Sequence, residues 1–322
     1  MFPQSGGMSN YAQYTHGSLL GFIAAWANWV SLVTIIPIEA VSAVQYMSSW
    51  PWEWAKPMGA LMKDGSISTI GLFAVYVIIA IFSLLNYWSV KLLTSFTSLI
   101  SVFKLGVPLL TIIMLMISGF DTNNYGHSAS AFMPYGSAPI FAATTTSGII
   151  FSFNAFQTII NMGSEIKNPE KNIARGIAIS LTLSAILYIV LQSTFITSMP
   201  SSMIHEHGWN GINFNSPFAD MAILLGINWL AILLYVEAVV SPFGTGVSFV
   251  AVTGRVLRAM EKNGHIPKFL GKMNEQYNIP RVAIVFNAII SMIMVTLFRD
   301  WGTLAAVIST ATLVAYLTGP TT

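Results

Sequence analysis

Long apolar stretches separated by short polar connections run through the whole sequence. Eight of them stand out: 17–47, 68–87, 96–119, 139–164, 176–198, 218–252, 282–298 and 302–319. Most match the roughly 20 residues a helix needs to cross a hydrocarbon layer, and apolar runs of about 18 or more exceed what a soluble core helix uses. The pattern predicts an all-α polytopic membrane protein with eight transmembrane helices. Residues 1–16 are polar and Gly-rich and carry no Lys or Arg. They predict a loop and exclude a signal peptide.

Composition sharpens this reading. Of 322 residues, 54% are hydrophobic and 8% charged, against about a quarter charged in soluble domains. A water-soluble globule and a disordered chain are both excluded, and a net charge of +2 leaves no electrostatic footprint for nucleic acid. With no cysteine, disulfides, thiolate metal sites and cysteine nucleophiles are excluded together. The 16 Met and 9 Trp read as packing and interface residues. In alternate connections, ten Lys and Arg fall on one side (Lys91, Lys167, Lys171, Arg175, Arg255, Arg258, Lys262, Lys268, Lys272, Arg281) and three on the other (Lys56, Lys63, Arg299). The positive-inside rule then places the N-terminal loop and 253–281 in the cytoplasm of a cell-membrane protein, and Trp50, Trp52 and Trp54 at the outer interface.

The first and sixth stretches are long, about 31 and 35 residues, an excess that tilt or a break accommodates. They lie five spans apart, the offset an inverted repeat produces, because an odd number of spans flips the second copy. Residues 1–135 are then the remnant of a first repeat, a cytoplasmic loop plus three helices. Residues 136–322 form a second repeat of five. The first lacks its first two helices, so the chain reads as a fragment.

Polar side chains inside these spans point to function. The fourth holds Thr144, Thr145, Thr146, Ser147, Ser152, Asn154, Gln157, Thr158, Asn161 and Ser164. The run from Gly148 to Gln157 favours a helix that opens near the midplane and offers backbone groups to a zwitterion; the alternative is hydrogen bonding between helices. In the sixth span Glu237, Ser241, Thr245 and Ser248 share one helical face beside Pro242, Gly244 and Gly246. A carboxylate there costs ~2.5 to 3.5 kcal/mol unless protonated, paired or hydrated, so Glu237 is a proton-site candidate or a carboxyl satisfied by a neighbouring helix. Lys104 lies about 13 Å into the third span at 1.5 Å per residue, deep for snorkelling. Desolvated there, it is suited either to take and release a proton or to stand in for a bound cation. Glu39 follows Pro37 in the outer half of the first span and faces either a vestibule or a helix contact. The five histidines, His16, His127, His205, His207 and His265, fall in predicted loops. No HExxH, P-loop, GxGxxG or GxSxG motif is present, so no metal, cofactor or enzyme chemistry is indicated and secondary transport is favoured.

Several stretches resemble the amino acid/polyamine/organocation (APC) superfamily of permeases. FPQSGGMSNYAQYTHGSLLGFIAAWANW (2–29) resembles that family's loop and third helix, LNYWSVK (85–91) the end of its fourth, and FKLGVP (103–108) its fifth. GSEIKNPEKNIARGI (163–177) is similar to the signature closing the sixth helix, and GRVLRAMEKNGHIPKF (254–269) to the basic loop after the eighth. The resemblance implies a LeuT-type fold of two inverted five-helix repeats, with helices three to ten present. It also implies an amino-acid substrate moved by alternating access, coupled to a proton, with exchange or sodium coupling, or a non-transporting amino-acid sensor, as the alternatives. By the same resemblance, the substrate-binding residues are Phe151, Ser152, Phe153, Asn154, Ala155, Phe156, Gln157 and Phe249, with Phe151 as an aromatic gate. Lys104 matches the lysine that takes the place of a sodium ion in some proton-coupled members, and Glu237, Ser241 and Thr245 join it in proton coupling. Many relatives carry Glu where Gln157 stands. The family's first helix, whose Gly-rich break holds the substrate carboxylate, is absent. The opening loop and fifth helix are similar to the branch containing aspartate/proton symporters and glutamate antiporters.

Overall fold

The computed structural model describes residues 7–88, 90–145, 148–154, 156–161, 166–214, 216–274 and 279–317. The chain begins with α1 (Gly7–His16) and α2 (Ser18–Ser48), followed by a two-residue ribbon, β1 (Met62–Lys63) and β2 (Ser66–Ile67), paired antiparallel. Helices α3 (Thr69–Trp88) and α4 (Val90–Ser118) follow. Then come four short pieces, α5 (Ala129–Phe132), α6 (Ala138–Thr145), α7 (Ile149–Ser152) and α8 (Gln157–Asn161). The remainder is α9 (Pro169–Ser198), α10 (Ser201–Gly211), α11 (Pro217–Leu224), α12 (Asn228–Lys262), α13 (Arg281–Leu297) and α14 (Trp301–Leu317).

Among the described residues, five helices are long and apolar enough to cross a bilayer: Ser18–Ser48, Thr69–Tyr87, Ile100–Ser118, Pro169–Ser198 and Asn228–Lys262. Two more, α13 and α14, are apolar and 17 residues long, about 25 Å at 1.5 Å per residue. The molecule is an all-α, multi-pass membrane protein.

The bundle is organised around α2. Its residues 31–38 are all buried in succession, and a helix enclosed on every side must be apolar or small on every side. Helices α12 and α14 flank it, with α1, α3 and α13 completing the surround. Leu32, Val33, Ile36, Val41, Phe82, Val256, Leu257 and Ile308 belong to this main core. A second cluster, at the end reached by α11 and the start of α12, gathers Leu115, Met199, Met221, Leu230 and Tyr235. There Trp50, Trp52, Trp54 and Tyr235 stack on or edge into one another at 5.4–5.9 Å. Helix α9 carries its few buried residues, Ile173, Thr194, Thr197 and Ser198, towards its ends.

One close approach depends on glycine. A Cβ on Gly246 would run into the Phe82 ring, and one on Gly244 would meet Ile100 Cγ2 at 2.6 Å. Small residues at these two positions let α12 lie directly on α3 and α4, the device by which membrane helices gain packing contact without a hydrophobic driving force.

Three expectations change. Residues 7–16 are helical, not a loop, because Asn10 and Ala12 are buried where α1 packs on α2 and α12; polarity alone did not reveal that anchorage. The apolar stretch 218–252 is not one helix. Gly226 (φ 76°) turns the chain between α11 and α12, and α12 continues ten residues further, into the basic segment. His16 closes α1, and His205 and His207 lie on α10, so these three are helical rather than in loops.

Candidate functional site

The fourth stretch is discontinuous, as its composition demands. Helix α6 ends at Thr145 and Gly148 adopts a left-handed conformation (φ 78°), from which the single turn of α7 starts. A Cβ on Gly148 would lie 2.5 Å from Trp301 Cη2, so this break has room only for glycine. Phe153 leaves the helix (φ −97°, ψ 4°), and α8 resumes at Gln157. Such a break removes the i→i−4 partners that a continuous helix would give its peptide groups, so protein, water or a ligand must supply them.

The break is tied to three other spans. Asn154 Nδ2 donates to Ser31 Oγ of α2 (3.4 Å) and to Thr312 Oγ1 of α14 (3.2 Å), and those two hydroxyls bond each other at 2.7 Å. Tyr188 of α9 donates its hydroxyl to the Ser152 carbonyl at 3.2 Å. Aromatic contacts follow the same path: Phe151 meets Trp301, Phe153 meets Tyr188 and Phe156 meets Tyr316, at 5.2–5.8 Å between ring centres. A cavity of about 620 Å³, lined by Phe153, Phe156, Leu181, Thr182, Ala185, Ile186 and Ile189, opens between the break and α9.

A second polar group spans α4 and α12. Lys104 Nζ donates to Thr245 Oγ1, and the Thr245 hydroxyl donates to the Ser241 carbonyl at 3.3 Å. Among the described residues neither Glu237 of α12 nor Glu39 of α2 makes an ion pair with Lys104. Of the residues expected to join in proton coupling, Lys104, Thr245 and Ser241 are thus linked by hydrogen bonds.

The residues expected to bind substrate are not gathered in one place. Phe153 and Phe156 line the cavity, Phe151 packs partly into the main core, and Ser152 bonds back to the Ile149 carbonyl at 2.7 Å. Phe249 is buried in the core, its carbonyl accepting from Thr253 at 2.7 Å. Ala155 and the side chain of Gln157 lie outside the described residues, as do 146, 147, 163–165 and 89 in the quoted motifs. Sequence reasoning missed Ser31, Thr312, Tyr188 and Trp301. It also missed a buried relay in which Trp29 Nε1 donates to Asn287 Oδ1 and Asn287 Nδ2 to Thr253 Oγ1, each at 3.0 Å. The signal for Asn287 was available: it is a lone amide in an apolar span.

Where α1 meets the end of α12, Asn263 Nδ2 donates to Asn10 Oδ1 at 2.8 Å, and His265 Nε2 donates to Gln13 Oε1 at 3.1 Å. The edge of Phe22 closes on His265 at 5.7 Å. Burial pushes the His265 imidazole below its ordinary range. The undocked form therefore takes up a proton more readily than the docked one, and docking weakens as pH falls through the ordinary imidazole range near about 6.5. Amide exchange in residues 7–16, corrected for intrinsic rate, should accelerate between about pH 7.5 and pH 5.5. His265→Phe should remove that pH dependence.

Fold and site together define a multi-pass helical membrane protein with an interrupted span, the construction on which many secondary transporters are built. The sequence profile of the amino acid permeases matches residues 1–318. The chain belongs to that family, within the amino acid/polyamine/organocation superfamily. Over 322 residues it is 50% identical to the glutamate/serine transporter AimA of Bacillus subtilis (strain 168), covering 100% of this chain and 59% of that protein. It is 34% identical to the aspartate-proton symporter of the same organism, covering 99% and 60%. A methylthioribose transporter, also from Bacillus subtilis, is 24% identical over 98% of this chain and 65% of its own length. The chain thus spans about three fifths of the length of the first two relatives.

Proposed function

We propose that this chain works as a proton-coupled amino-acid permease of the cell membrane, by alternating access. The observation that carries the reading is the break between α6 and α8, held by Asn154 to two other spans. Peptide groups freed in this way suit the ammonium and carboxylate of an amino acid. The break, from Phe151 through Ser152, Phe153, Asn154, Ala155 and Phe156 to Gln157, contacts substrate, and Phe249 lines the pocket from α12. Lys104, with Thr245, Ser241 and Glu237, carries the coupled proton. Residues 1–135 and 136–322 belong to two inverted repeats, with the α1 end cytoplasmic. The names of the glutamate/serine and aspartate-proton relatives support glutamate, aspartate and serine as the first substrates to try.

The test is uptake of labelled glutamate, aspartate and serine into proteoliposomes holding the intact protein from its full reading frame, with and without an inward proton gradient. Accumulation only with the gradient is the expected result. Absence of uptake under both conditions overturns the proposal, and uptake only with amino acid preloaded inside would make the protein an exchanger.

A further inference from the structure

Every carbonyl from Gly148 to Ser152 has a donor, and the last donor differs in kind. The Gly148 carbonyl accepts from the Ser152 N–H at 2.8 Å, that of Ile150 from the Phe153 N–H at 3.2 Å and that of Phe151 from the Asn154 N–H at 2.9 Å. The Ser152 hydroxyl turns back to the Ile149 carbonyl at 2.7 Å. These four are satisfied inside the broken span. The Ser152 carbonyl ends the turn of α7, where a helix leaves its last carbonyls without intrahelical partners. It is met from another helix, by the hydroxyl of Tyr188 on α9 at 3.2 Å.

The geometry of that bond favours release. An O–H donor usually sits about 2.7–2.8 Å from its acceptor, so 3.2 Å is long. Tyr188 is 38% exposed, and its ring meets the edge of Phe153 at 5.4 Å between centres and 74° between planes. Phe153 borders the cavity of about 620 Å³ together with Ala185 and Ile189 of the tyrosine's own helix. A ring that lets go of the carbonyl therefore has open space beside it. The chemistry of the acceptor points the same way. Partial negative charge gathers on carbonyls at the C-terminal end of a helical turn. A tyrosine offers that oxygen one neutral donor, whereas an ammonium offers three donors and a full positive charge, and charge-assisted hydrogen bonds are about twice as strong.

We infer that Tyr188 is a positioning residue of the substrate site, its hydroxyl holding the Ser152 carbonyl between substrates and yielding that oxygen to the ammonium of an arriving amino acid. The inference rests on the reading of the break as the substrate site and adds to it a residue of α9. The tyrosine keeps the freed peptide group satisfied between turnovers, which preserves the shape of the break. Because substrate must displace it, the hydroxyl lowers affinity by the strength of the bond that is exchanged.

The test is equilibrium binding of labelled glutamate, aspartate and serine to the intact protein purified in mild detergent. Tyr188→Phe keeps the ring beside Phe153 and removes the hydroxyl. It should bind whichever of the three the wild type binds about two- to tenfold more tightly, the range that one net hydrogen bond commands. Incorporating 3-fluorotyrosine at position 188, a more acidic phenol and a stronger donor, should weaken binding while leaving the packing intact. Opposite shifts in the two variants are the signature of competition for one oxygen, since a purely structural role would weaken binding in both. Unchanged or weaker binding by Tyr188→Phe overturns the inference. So does unchanged or tighter binding by the fluorotyrosine protein, which remains informative if Tyr188→Phe fails to fold. A wild-type protein that binds none of the three amino acids would instead overturn the substrate reading of the break, so the two failures are told apart.

Discussion

Replacing Lys104 with alanine is expected to abolish gradient-driven accumulation, a fall of about tenfold for one proton across about one pH unit. On the proton-coupled reading Lys104 is the group that takes up and releases the proton, held by Thr245 of α12. Substrate counterflow should persist, since Lys104 makes its hydrogen bond to Thr245 of α12 rather than to the break between α6 and α8. Lys104→Arg should not rescue coupling, because a guanidinium stays protonated throughout and has a planar donor geometry that one threonine hydroxyl does not match. A Lys104→Ala protein that still accumulates substrate as the wild type does would remove this residue from coupling.

The second large effect concerns folding. Gly246→Leu should eliminate most of the monodisperse protein extracted in mild detergent, as read by size-exclusion chromatography. Phe82, which any side chain at 246 would strike, is fully buried and wedged edge-on against Phe243 at 5.1 Å, so its ring has nowhere to swing. Overpacking a filled core costs about 1–3 kcal/mol or more, and here the cost falls on the contact between α12 and α3. Combining Gly246→Leu with Phe82→Ala frees the space and should recover a measurable part of the folded peak. Equal yields of Gly246→Leu and wild type would show that the two helices can separate without cost.

What the sequence made legible was what lipid makes expensive. The discontinuity after Gly148, the isolated Lys104 and the stripe from Glu237 through Ser241 to Thr245 were all visible because polar groups in an apolar span demand a reason. Their partners were hidden for the opposite cause. Ser31 and Thr312 are single hydroxyls of the kind any membrane helix carries, and only the fold brings them together across 281 positions of sequence. The helical state of residues 7–16 escaped because its anchorage, through Asn10 and Ala12, comes from α2 and α12 rather than from its own pattern. The turn at Gly226 escaped because one glycine in an apolar run leaves the composition of that run unchanged.

The bonds that hold Asn154 also say how readily it can let go. At 3.2 and 3.4 Å they lie at the long end of hydrogen-bond geometry, whereas Ser31 and Thr312 meet each other at 2.7 Å. Without the amide, the hydrogen bond between these two hydroxyls would still join α2 to α14. The seam between α2 and α14 thus has a polar tie of its own, independent of the break that it anchors.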